Sequence, residues 1–86
     1  MIGIEERGRA RLKLRLPDWR RRFELVSSQS FLDICEAYEL AWMGLDHWTR
    51  SDEPTSSAIV ADYLALVASL ELDAKYLAAR DGKEQP

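Results

Sequence analysis

The chain has 86 residues, of which 47% are hydrophobic and 31% charged, with a net charge of −3, and it fits one small soluble domain with a limited core. The single cysteine, Cys35, excludes an internal disulfide and favours the cytoplasm. One cysteine with one histidine cannot complete a zinc site, so we expect no metal and no cofactor. Charged residues directly behind Met1–Ile4 predict no export signal. The longest apolar run, residues 63–70, is too short for a membrane span.

The charges are divided unevenly along the chain. Residues 1–22 contain eight basic and three acidic side chains, whereas the remainder is strongly acidic. Such asymmetry indicates an anionic partner for the basic segment, or a basic segment that folds back on its own acidic body. Both interpretations stay open at the level of the sequence.

Residues 1–26 form a basic N-terminal arm in which residues 9–16 alternate between basic and apolar side chains. This period of two predicts a short strand, which ends at Pro17. Beyond the proline, Trp19, Phe23 and Val26 have helical spacing and predict a helical turn. The alternative is a flexible arm.

The first long helix is predicted over residues 30–50. Apolar residues from Phe31 to Trp48 fall within an arc of roughly 140° on a helical projection, which is typical of an amphipathic helix. Ser30 has the spacing of a capping box, with Ser28 as the alternative cap, and Pro54 follows the helix end.

The second long helix is predicted over residues 56–80, followed by Gly82 in a left-handed C-terminal cap and a frayed tail over residues 83–86. The two helices are separated by a short loop, so residues 27–82 form an antiparallel helical hairpin. The fold class is therefore all-α, apart from the short strand in the arm.

The apolar face of the second helix spans about 160°, wider than the ~100° stripe that one neighbour covers. We therefore expect a homodimer, either a four-helix bundle of two hairpins or a variant interlocked through the N-terminal segments. The expected interface anchors are mostly large apolar residues: Trp19, Phe23, Leu32, Leu40, Trp42, Met43, Trp48 and Leu64.

No set of residues predicts catalysis. His47 lies on the polar side of the first helix without a nucleophile at helical spacing, and Cys35 lies in the apolar arc, where its thiol is inert. Glu36 and Glu39 share an exposed face rather than an enclosed site. Gly44 interrupts the helix and predicts a close approach by another backbone. We expect a protein that is not an enzyme.

Residues 9–26, with basic side chains alternating up to a proline and a helix following it, resemble the opening of a ribbon-helix-helix DNA-binding domain. That resemblance implies paired strands from two protomers in the major groove, with Arg11, Lys13 and Arg15 contacting bases. The residues expected to bind nucleic acid or an acidic partner are all basic: Arg11, Lys13, Arg15, Arg20, Arg21 and Arg22.

The sequence thus predicts a small non-enzymatic helical module for protein interaction or regulation that acts as a homodimer. In this interpretation the basic arm either covers the acidic helix face or binds an acidic protein. The alternative is a dimeric nucleic-acid-binding protein that uses residues 9–22.

Overall fold

The computed structural model describes residues 2–82, and every regular secondary-structure element within them is a helix. The four α-helices are α1 (Ile4–Arg15), α2 (Arg20–Leu25), α3 (Gln29–Thr49) and α4 (Ser56–Asp81), with a 3-10 turn over Pro17–Trp19 between the first two. The prediction of an all-α chain with two long helices is confirmed. Each helix in this part of the chain is too short or too polar to cross a bilayer.

Helices α3 and α4 pack against each other in opposite directions. Ser28, at the start of α3, hydrogen-bonds to Asp81 at the end of α4, while Gly44 near the other end of α3 lies against the ring of Tyr63. The predicted close approach at Gly44 therefore involves a side chain rather than a backbone, since an added Cβ there would lie 2.5 Å from the Tyr63 ring.

The ends of the two long helices lie within about one residue of the predicted positions. The hydroxyl of Ser28 accepts a hydrogen bond from the backbone N–H of Phe31 at 3.3 Å, so Ser28, and not Ser30, is the N-cap of α3. Gly82 has φ −75°, so the left-handed cap predicted there is wrong. The predicted fraying of residues 83–86 lies outside the described residues.

The strand predicted over residues 9–16 is wrong, because these residues continue α1 as far as Arg15. Leucine, arginine and lysine are strong helix formers, and a lone strand would leave its backbone groups without partners. On a helix the alternating leucines lie on different sides, so that Leu12 is fully buried and Leu14 is 79% exposed. The helical turn predicted after Pro17 is confirmed.

Helix α1 lies on α3 at an unusually close crossing. The backbone of Gly8 faces the carbonyl group of Cys35, and a Cβ at position 8 would overlap that carbonyl oxygen and lie 2.7 Å from the carbonyl carbon. Only glycine fits there, because any side chain would separate the two helices. The close approach lets Leu12, one turn further along α1, enter the core.

The core lies where α1 and α2 cover one half of the α3–α4 hairpin. Phe23 of α2 stacks on Phe31 of α3 with ring centroids 5.7 Å apart, and both side chains are fully buried. The other buried apolar residues of this core are Leu12, Val26, Cys35, Tyr38, Ala41, Val67, Leu70, Ala74 and Ala78. The half of the hairpin near the connecting loop consists of two helices only.

Replacement of Gly8 by alanine should destabilise the fold, because the new methyl group overlaps the Cys35 carbonyl. We expect a loss of about 1–3 kcal/mol in the free energy of unfolding, measured by urea denaturation followed by circular dichroism. The matched control is Gly3→Ala, whose added Cβ would meet only the Glu5 side chain at 3.1 Å. An equal loss in both variants would contradict the close crossing.

The thiol of Cys35 should be unreactive in the folded protein. Burial raises its pKa to about 12, so the thiolate that reacts with disulfide reagents is scarce at pH values below that. We expect slow modification by Ellman's reagent near neutral pH and rapid modification in denaturing urea. Rapid reaction without denaturant would show that α1 does not cover Cys35.

Candidate functional site

Two basic residues of α1, Arg11 and Arg15, pair with acidic residues of the α3–α4 hairpin. The guanidinium of Arg11 donates to both carboxylate oxygens of Glu39, at 3.0 and 3.2 Å, and Arg15 pairs with Glu71 at 3.2 Å. Both guanidinium groups also lie over the ring of Trp42, at 5.4 and 4.9 Å from its centroid. This basic segment therefore folds back on its own acidic body, one of the two arrangements that the charge asymmetry predicts.

Glu71 connects α4 to both α1 and α3. Besides Arg15, its carboxylate accepts a hydrogen bond of 2.6 Å from the hydroxyl of Tyr38. Burial and this hydrogen bond raise the pKa of Tyr38, so the hydroxyl remains a donor. The cluster is structural, because Tyr38 is fully buried.

Arg9 has a role that the sequence analysis missed. Its guanidinium donates to the backbone carbonyls of Phe23 and Val26, the latter at 2.8 Å, and it lies 5.4 Å from the ring of Phe31. It thereby binds carbonyl groups at the C-terminal end of α2. No local pattern distinguishes Arg9 from the other basic residues of α1, since its partners lie 14 and 17 positions away.

Of the remaining predicted basic residues, Lys13 lies on α1 and contacts α2, and the other three lie on α2 itself. Lys13 pairs with Glu24 at 3.2 Å. Arg20, Arg21 and Arg22 are exposed and form no ion pair with a described residue. The predicted set is therefore divided into three paired residues and three that face solvent.

The ribbon that the ribbon-helix-helix resemblance implies is not present in residues 2–82, because Arg11, Lys13 and Arg15 lie on a helix. Their side chains are directed to three different carboxylates rather than to one polar face. A two-stranded contact with DNA through these residues would require α1 to leave α3 and change its secondary structure.

The residues considered for chemistry do not come together. His47 is exposed and packs edge-on against Trp48, with ring centroids 5.2 Å apart, whereas Cys35 is fully buried. Glu36 is exposed, and Glu39, which we expected on the exposed face, is only 6% exposed and paired with Arg11. Residues 2–82 contain no group of three histidine, cysteine or carboxylate side chains suited to a metal ion.

The predicted interface anchors occupy three different environments. Phe23 is fully buried inside the chain. Four others are half-buried: Trp19, Leu32, Trp42 and Trp48. The last three are about half exposed: Leu40, Met43 and Leu64. The indole N–H of Trp42 is buried and has no hydrogen-bond partner among the described residues.

A further apolar surface, which the anchor set did not include, runs along the side of α4 that faces away from α3. Its members are separated by three or four residues and all are exposed: Ala58, Ala61, Ala65, Ala68 and Leu72. Leu72 is 66% exposed, and no charged side chain lies in this line. We call these five residues the outer face of α4. The 3-4 spacing of the alanines is the sequence signal that could have identified it.

Comparison of the chain with protein families, with curated proteins and with solved structures yields no significant match.

Replacement of Glu39 by glutamine should lower stability by about 1–2 kcal/mol, because a buried charge-assisted pair is lost. The matched control is Glu24→Gln, since Glu24 pairs with Lys13 at the surface with 49% of its side chain exposed. The control should change the free energy of unfolding by less than ~0.5 kcal/mol. Urea denaturation measures both variants, and equal effects would argue against a structural role for the Arg11–Glu39 pair.

Proposed function

We propose that this protein is a non-enzymatic interaction module that acts as a homodimer, and that two copies associate through the outer face of α4. The observation that carries the proposal is the exposure of a continuous apolar line, from Ala58 to Leu72, on a helix that packs mainly against α3. Large exposed apolar patches mark interaction sites.

The spacing of the outer face supports a helix–helix contact. Apolar residues at alternating intervals of three and four form the seam of a coiled coil, and alanines in the seam let two helix axes approach closely. Helix α4 has 26 residues and is therefore about 39 Å long, enough for several layers of contact. Leu64 and Tyr76, which are 51% and 64% exposed, flank the seam and would enlarge the contact.

An antiparallel pair of α4 helices matches the sizes of the side chains. With Ala65 of one copy opposite Ala68 of the other, Ala61 faces Leu72 at both ends of the seam, so each large residue meets a small one. Asp62 would then lie between Ser69 and Asp73 of the other copy, so this register brings two exposed carboxylates near each other at each edge of the seam. The match of side-chain sizes supports a second copy of the chain as the occupant and a twofold-symmetric dimer.

Sedimentation equilibrium tests this proposal. We expect the wild-type chain to sediment at twice the 9.9 kDa of one protomer, and Ala65→Lys to sediment as the monomer, because burial of a lysine in an apolar seam is unfavourable. Ala65 is exposed in the protomer, so its helix content by circular dichroism should stay unchanged.

The matched control is Leu66→Lys, which places the same charge on an exposed apolar position of α4 outside the seam. This variant should remain dimeric. A wild-type chain that sediments as a monomer at high micromolar concentration would refute the dimer. A dimer that Leu66→Lys dissociates and Ala65→Lys does not would refute the proposed face.

A further inference from the structure

The positive charge that has no acidic partner among the described residues is concentrated on α2. On α1, four basic residues are paired: Arg9, Arg11, Lys13 and Arg15. Arg20, Arg21 and Arg22, in contrast, are consecutive and exposed. Since the whole chain has a net charge of −3, this short segment is a local exception to an acidic protein.

An aromatic side chain lies within this positive region. The half-buried ring of Trp19 stacks on the buried Phe23 with centroids 6.0 Å apart. The guanidinium of Arg22 lies 5.1 Å and the ammonium of Lys75 lies 6.0 Å from the centroid of the Trp19 ring. Cation–π contacts of this kind hold the two charges beside a rigid platform.

A cleft of about 450 Å³ opens between α2 and the C-terminal end of α4. Arg21 and Arg22 line one side, and Leu25, Ala78 and Ala79 provide apolar lining. Asp18 and Gly82 complete the described lining. The volume falls in the range of ligand sites and is large enough for a bulky apolar side chain.

We propose that α2 and this cleft bind an acidic segment of a partner protein that carries a bulky apolar residue. The apolar residue enters the cleft beside Leu25 and Ala79, and flanking carboxylates face Arg21 and Arg22. Charge complementarity selects an anionic occupant, and bidentate contacts from arginine suit carboxylates.

The apolar lining favours a peptide over a nucleic acid, whose phosphates gain nothing from Leu25 or Ala78. A surface that binds nucleic acid also needs positive charge along the path of the phosphate backbone. Arg11 and Arg15 do not supply that charge, because they are paired with carboxylates. The cleft shares no residue with the outer face of α4, and peptide binding to it does not require a dimer.

Fluorescence anisotropy with the full chain tests the proposal. The probe is a labelled peptide in which one leucine is flanked by runs of glutamate, and the comparison probes are the same peptide with glycine for leucine and a labelled DNA duplex. We expect the leucine peptide to bind best, about tenfold more tightly than the glycine peptide. The double variant R21Q/R22Q should weaken its binding about tenfold.

The matched control is R7Q/R50Q, which removes two charges from exposed positions outside the cleft and should change affinity by less than about twofold. Ala79→Leu, which fills the cleft without a change of charge, should also weaken peptide binding. Circular dichroism should show that all variants keep their helix content.

Three results would overturn the proposal. The first is tighter binding of the DNA duplex than of the peptide, which would assign the arginines to nucleic acid. The second is equal binding of the leucine and glycine peptides, because the cleft would then contribute nothing. The third is an equal loss of peptide affinity in R21Q/R22Q and R7Q/R50Q, which would show that affinity depends only on the net charge of the protein.

Discussion

The close contact between the backbones of α1 and α3 at Gly8 is the constraint on which the rest of the structure depends. It brings Leu12 into the core and sets α1 at a distance from which Arg11 and Arg15 reach Glu39 and Glu71. Without this approach the basic helix could touch the hairpin only through its side-chain ends. Exposed ion pairs alone contribute little to stability, so the apolar contact and the pairs act together.

The same contact decides which charges are available for partners. Arg11, Lys13 and Arg15 of α1 pair with carboxylates of α3, α2 and α4, whereas Arg20, Arg21 and Arg22 are exposed and the last two line a cleft. A cluster of basic residues in the sequence is thus divided by the fold into a structural part and an exposed part. Only the exposed part is suited to recognise a second molecule.

Helix α4 has two apolar sides with different uses. Val67 and Ala74 pack in the core of the protomer, whereas Ala65 and Leu72 face outward and carry the proposed dimer contact. These two apolar sides explain why α4 has more apolar surface than α3 alone covers. The proposed dimer contact and the α2 cleft use different residues, so two copies would present two acidic-peptide sites.

The sequence by itself determined the two long helices, the hairpin loop and the turn after Pro17, because helical periodicity, serine caps and proline are local signals. It failed for residues 9–16, where Leu12 and Leu14 alternate in sequence but only Leu12 finds a buried site. Tertiary structure alone decided that α1 packs on α3, that Arg9 binds the carbonyls of Phe23 and Val26, and which arginines stay exposed. These contacts join residues far apart in the chain, and no local pattern encodes such distances.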